Sequence, residues 1–187
     1  GDAAMTVNLM ETLHKMTGIS EGNITDAEIS FAREVLRTEA GQISIAIDII
    51  GMNRKIDDKT LLEYYLYNSS SDVYRADALI SLCRYMGLYG DYRTLIEKII
   101  LDPNSSMRLA AINICGDIFE NKKDKALLEI LFVIMENSNE NAVDRVAAMS
   151  SMYKYYNLDH SNIIGMLDAS DPGFLEAREI IRRKFES

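Results

Sequence analysis

Proline, cysteine and histidine each occur only twice in these 187 residues, positive charge is short, and strand signals are nearly absent. Each shortage excludes something. Two cysteines, Cys83 and Cys115, both inside apolar helical patterns, cannot form the disulfide framework of a small secreted domain and read as buried thiols. His14 follows Glu11 at the three-residue spacing of a carboxylate–histidine metal motif. A di-metal bundle needs two such pairs and further carboxylates, and the only other histidine is His160, so no metal ligand is assigned. With 20 Lys and Arg against 29 Asp and Glu, the formal charge is −9, a field that repels phosphate backbones and sets nucleic acid aside as a partner. No run of 18 apolar residues exists, so no membrane span is expected. A Ser/His/Asp set, a glycine-rich phosphate loop and a Cys-x-x-Cys are all missing, so no catalytic or cofactor-binding residue is assigned. Gly1 in place of Met fits a scar of tag removal; the natural chain is expected to begin earlier, with the compartment open between cytoplasmic and exported.

What is present is helix. The chain is 48% hydrophobic and 26% charged, an ordinary globular balance. Apolar residues recur at three and four: Met107, Ala111, Ile114, Cys115 and Ile118 share one face, and Asn113, Asp117 and Glu120 another. The same reading predicts helices near 3–16, 25–39, 42–53, 58–68, 71–86, 92–101, 103–119, 123–137, 140–156, 160–168 and 171–185. Thr25 with Glu28 reads as a capping box, and Gly18 and Gly41 sit where helices should stop. Both prolines, Pro103 and Pro172, follow an Asp, which predicts two helix starts with Asp as cap and Pro in the first turn.

The helices repeat. Asp58-Lys59-Thr60-Leu61-Leu62-Glu63 returns 66 residues later as Asp124-Lys125-Ala126-Leu127-Leu128-Glu129, with Leu95-Ile96-Glu97 about halfway between. Arg75, Arg108 and Arg145 are spaced by 33 and 37, and each is followed three residues on by Ala78, Ala111 or Ala148; Ala46 adds an earlier match without an arginine. The unit is a pair of helices of about 32–37 residues, seen roughly four times. A helix pair cannot bury its apolar stripe alone, so successive pairs must stack. Small residues such as Ala111 allow close approach, and a recurring arginine can bond helix-end carbonyls or the neighbouring pair.

Asp102-Pro103, then Met107-Arg108-Leu109-Ala110-Ala111 and Cys115-Gly116, resembles the HEAT repeat, in which a second helix opens with Asp-Pro and continues with Val-Arg, paired small residues and Leu-Gly. Tyr74-Arg75 with Ala78 and Leu82, and Asp144-Arg145 with Ala147-Ala148 and Met152, are weaker copies. The resemblance implies an all-α fold, a short right-handed α-α superhelix of about four repeats in a single domain. Residues 1–40 would be N-terminal capping helices, 41–168 the repeats and 169–187 a C-terminal capping helix. The arginine-bearing helices would line a concave side.

Stepping by 33 and 37 along those helices carries Arg84 to Asp117 and Lys154, and Ile80 to Asn113 and Ser150. These six avoid the apolar stripe and are the expected concave binding surface. Two tyrosine clusters, Tyr64, Tyr65 and Tyr67 and Tyr153, Tyr155 and Tyr156, divide between core and surface, the exposed ones being interface anchors. Arg178, Arg182, Arg183 and Lys184 complement the dipole of the last helix. The function expected is a non-catalytic scaffold for a protein or peptide partner of basic character. The alternative is an enzyme on the same scaffold, such as a DNA-repair glycosylase, against which the charge of −9 weighs.

Overall fold

The computed structural model describes residues 24–159 and 169–187. The expected helices near 3–16 and 160–168, Gly18, Glu11, His14 and His160 lie outside the described residues. Within them are nine α-helices and no strand. They are α1 (Asp26–Thr38), α2 (Ile43–Asn53), α3 (Lys59–Asn68), α4 (Asp72–Ile80), α5 (Tyr89–Leu101), α6 (Arg108–Asn121), α7 (Lys125–Glu136), α8 (Ala142–Tyr155) and α9 (Pro172–Glu186). A 3-10 turn, Ile56–Asp58, precedes α3, and a π turn, Ser81–Tyr85, continues α4. None of the described helices is long and apolar enough to cross a membrane.

Helix starts follow the side chains that can meet unpaired N–H groups. Thr25 Oγ1 accepts from Glu28 N and Glu28 Oε2 accepts from Thr25 N, the expected reciprocal box. Ser71, Asp124, Asn141 and Asp171 cap α4, α7, α8 and α9, and Pro172 occupies the first turn of α9 as expected. The other proline differs. Pro103 opens no helix: Asp102 Oδ1 accepts from Asn104 N (3.0 Å) and its carbonyl from Ser105 N (3.1 Å). Ser105 then repeats the motif toward Met107 N and Arg108 N, so α6 begins only at Arg108. Asp and Ser bonded to the backbone two and three residues on compete with the helix and delay it by two turns of chain.

The chain divides into two compact units between Tyr89 and Gly90. In the first unit α1 packs on α2, α3 on α4, and α2 on both α4 and the π turn. In the second, α6, α7 and α9 all pack on α8. Ala46, Ala78, Ala111 and Ala148 have no exposed surface, as the repeat register requires, and Met107, Ile114, Cys115 and Ile118 are buried beside Ala111. Cys83 and Cys115 are buried thiols outside any disulfide. Around them Ile47, Leu62, Leu79, Ile96, Phe119, Leu131 and Phe174 are fully enclosed, each worth about 1.5–3 kcal/mol of burial.

The recurring arginines tie the helices together. Arg75 Nε donates to Leu66 O (3.2 Å), Arg108 Nε to Ile100 O (2.8 Å) and Arg145 Nε to Met135 O (3.0 Å). Each carbonyl belongs to the last turn of the helix before, where the α-helix leaves its own acceptors without donors. In the second unit the same guanidinium groups also reach onward. Arg108 Nη1 and Nη2 donate to Glu140 Oε2 (2.5 Å) and Oε1 (3.1 Å), with Asp144 Oδ2 at 3.3 Å. Arg145 lies over the Phe174 ring, 5.2 Å from its centroid. A second set of arginines joins first helix to first helix: Arg33 grips Asp58 through two 2.8 Å bonds, and Arg93 grips Asp124 at 2.9 and 3.2 Å. Asp58 and Asp124 are the aspartates that open the 66-residue repeat, which explains why that repeat keeps them.

Removing the Arg108 side chain leaves two shielded carboxylates and a buried carbonyl without their donor. Arg108→Ala should cost about 3 kcal/mol, at the low end for breaking a buried ion pair because Glu140 and Asp144 keep 18% and 14% exposure. Arg75→Ala, with that side chain 41% exposed, should cost about 1 kcal/mol. Equal shifts of the urea midpoint in the two variants would overturn this ordering.

Acid should act on the same contacts. The hydrogen bond from Arg108 holds Glu140 below its ordinary value against the opposing effect of burial, and Arg93 does the same for Asp124. A depressed carboxylate contributes stability above its unfolded pKa, about 4, and loses it as pH falls through the lower folded value. Unfolding titrations from pH 6 to pH 2 should therefore show a loss of stability below about pH 4, smaller in Arg108→Ala than in the wild type. A loss of the same size in both would remove Glu140 as a cause.

Candidate binding surfaces

The residues expected on the inner helices fall in both units. In the first, Arg84 is exposed and Ile80 half-buried. In the second, Asn113 is exposed, Ser150 is half-buried, and Asp117 and Lys154 come together. Lys154 Nζ lies 3.4 Å from Asp117 Oδ1 and 2.9 Å from Glu120 Oε1. Burial alone would lower the lysine pKa, but the hydrogen bond to Glu120 and the field of Asp117 outweigh it and the pKa rises.

A close helix crossing makes this cluster. Ser151 Oγ donates to Ile112 O (2.9 Å), drawing α8 onto α6 at Gly116. A Cβ on Gly116 would stand 3.0 Å from Ser151 Oγ and 3.1 Å from Lys154 Cδ. The missing side chain lets the lysine stem lie across α6 and deliver its ammonium to the carboxylates one and four residues further along. The first unit uses the same device. Ser81 Oγ donates to Ile47 O (3.4 Å), and a Cβ on Gly51 would stand 2.7 Å from Ser81 Cβ and 3.1 Å from Tyr85 Cδ2. Sequence reasoning missed both pairs. The signal was present in the register: Gly51 and Gly116 follow Ala46 and Ala111 by five, and Ser81 and Ser151 follow Ala78 and Ala148 by three.

The tyrosine clusters have different fates. Tyr153 is buried, its hydroxyl donating to Ala177 O (3.4 Å), and Tyr155 packs edge-on against Phe119 and Tyr156. In the first cluster only Tyr65 is buried, donating to Leu36 O (2.7 Å), and burial pushes its pKa up to about 12. Tyr64 and Tyr67 remain 47% and 58% exposed. Tyr64 donates to Glu39 Oε1 (2.8 Å), and that bond raises its pKa. Glu39 itself is the left-handed C-cap of α1, at φ 53°. Three of the four basic residues of α9 are paired: Arg178 and Arg182 with Glu136, and Arg182 and Arg183 with Glu179.

Among the described residues no group of three or more His, Cys, Asp and Glu is placed to hold a metal ion. No family model, curated protein or solved structure matches the chain.

The two glycines should answer differently to a methyl group. At Gly51 the added Cβ meets another Cβ, so backbone must shift; overpacking of about 1–3 kcal/mol should exceed the gain in helix propensity of about 1 kcal/mol. At Gly116 the nearest atoms are the Ser151 hydroxyl and the Lys154 stem, with Ser151 Cα at 3.4 Å; the stem can move and no atom stands under 3.0 Å, so Gly116→Ala should cost less than Gly51→Ala, about 1 kcal/mol. Thermal midpoints decide: a larger loss at Gly116 than at Gly51 would contradict the crossing geometry.

Proposed function

We propose that this chain is a HEAT-like scaffold, a right-handed superhelix of helix pairs whose inner helices hold a protein or peptide partner of basic character. The observation that carries the reading is the division of labour along the inner helices. Residues that recur from pair to pair serve the fold: Arg75, Arg108 and Arg145 bond helix ends, and the alanines at 46, 78, 111 and 148 fill close contacts. Positions beside them change from pair to pair, Asn113 to Ser150 and Asp117 to Lys154, and carry polar side chains, Asn113 exposed and the other three part-exposed. A surface of that kind differs from one scaffold to another while the support beneath it stays the same. The charge of −9, with Glu120 over half exposed beside Asp117, favours a cationic partner.

The test is quantitative crosslinking of the folded protein to its cellular partners, compared with Asp117→Lys. Reversal should weaken capture about tenfold while the helical CD signal stays near wild type, since Lys154 keeps Glu120 as a partner. Undiminished capture by the folded variant would refute the inner surface as the binding site. DNA affinity that falls steeply with salt would instead favour the glycosylase-like alternative.

A further inference from the structure

In the first unit, the end of α1, the start of α2, the end of α3 and the start of α4 line a partly open pocket of about 280 Å³. Its walls include three tyrosines, Tyr64, Tyr65 and Tyr74, with Glu39, Asn68 and Ser70 around them. The rings do not stack. Tyr64 and Tyr65 stand 5.5 Å apart with planes at 85°, and Tyr65 and Tyr74 stand 6.4 Å apart at 77°. Each pair is an edge-to-face contact, and Tyr65 is buried with its hydroxyl on Leu36 O, so the ring surface left to this space is that of Tyr64 and Tyr74.

Among the described residues lining this space, Glu39 alone is charged. Two helix C-termini and two helix N-termini converge here, so their partial charges largely offset. The N-terminus of α4 is already met by Ser71 Oγ and Asp72. The carboxylate therefore sets the sign of the site. Glu39 is held there in a left-handed conformation that residues with side chains seldom adopt. One of its oxygens accepts from Tyr64, which fixes ring and carboxylate together and leaves the other oxygen for a donor or a cation.

We infer that this pocket is a binding site for an organic cation, an alkylammonium or quaternary ammonium group held by the Tyr64 and Tyr74 rings and the Glu39 carboxylate. Ring quadrupoles attract such a cation over their faces, and a carboxylate at the rim fixes it without the water a bare metal ion would keep. The volume lies near the lower end of small-molecule pockets, about 300 Å³, and suits one such head group rather than a whole cofactor. The cation can come from a free small molecule or from a lysine side chain, methylated or not, on a polypeptide. This site does not depend on the inner-helix row, since every residue invoked lies in the first unit.

The probe is tetramethylammonium chloride, titrated into the full chain while tyrosine ring resonances are followed by NMR at constant ionic strength. Saturable shifts of the Tyr64 and Tyr74 rings are expected, with none from the neutral isostere neopentyl alcohol. Glu39→Gln and Tyr64→Leu, both at exposed positions, should each weaken binding at least about fivefold, while Tyr67→Leu, on the same helix but outside the cavity, should not. A peptide carrying one trimethyllysine separates the sources: tighter binding than the free cation assigns the site to a polypeptide, and equal or weaker binding to a small molecule. Absence of saturable shifts, an equal response to neopentyl alcohol, or unchanged affinity in both cavity variants would overturn the assignment.

Discussion

A helix that ends against another helix leaves carbonyl oxygens that water reaches poorly, and in three consecutive helix pairs a guanidinium group meets one of them. The Nε of Arg75, Arg108 or Arg145 takes the carbonyl of Leu66, Ile100 or Met135, which fixes how the second helix of a pair begins relative to the end of the first. That bond uses one edge of the planar group and leaves the Nη edge pointing away. In the second unit the remaining edge of Arg108 takes the Glu140 carboxylate, and the flat face of Arg145 lies on Phe174. One side chain thus sets the angle within a pair and joins that pair to the next element. Lysine could not substitute, because a point charge with rotating donors cannot hold a carbonyl and a carboxylate in fixed directions together.

The second constraint is the depth to which neighbouring helices sink into each other. Gly51 against Ser81 and Gly116 against Ser151 are the two crossings where a side chain is missing on one helix and short on the other. In both, the serine hydroxyl bonds the carbonyl four residues before the glycine, so the crossing is specified by a hydrogen bond as well as by space. At the first crossing the chain also widens into a π turn beginning at Ser81, a local change frequent at close contacts and functional sites. At the second, the same approach carries Lys154 across α6. The ion cluster with Asp117 and Glu120 is therefore a consequence of backbone proximity rather than an independent surface feature.

Much of this was legible in the sequence because it follows local rules. The capping box at Thr25, the Asp171-Pro172 start, the buried alanine register and the carbonyl-bonding role of the arginines all express periodicity or a short-range bond. The misreading at Asp102-Pro103 has the same origin as the successes. Asp before Pro suits a helix start, but Ser105 offers the backbone a second turn that the dipeptide alone does not reveal. The Gly–Ser crossings were missed because they join residues 30 to 35 apart that look unremarkable in isolation; only the alanine register relates them. The tyrosine cavity was harder still. Tyr64, Tyr65 and Tyr74 lie on two helices, and Glu39 enters from a third in a backbone conformation that no side-chain pattern announces.

The two units carry different kinds of surface. Lys154 is already bound to Asp117 and Glu120, so an incoming charge must exchange with an existing pair rather than add to it. Exchange between partly exposed ions yields little net free energy and is weakened by salt. As a binding surface, such a row would discriminate between partners more than hold them. The tyrosine cavity stands in the opposite position. Its rings are fixed by edge-to-face contacts, the Tyr65 hydroxyl is anchored on Leu36, and the Tyr64 hydroxyl is anchored on Glu39 before any ligand arrives. A cation entering it meets walls that need little reordering, which is the condition under which a small contact contributes most of its intrinsic attraction. Taken each by itself, the proposed cation pocket would therefore gain more from preorganisation than the charges around Lys154, which would select more than hold.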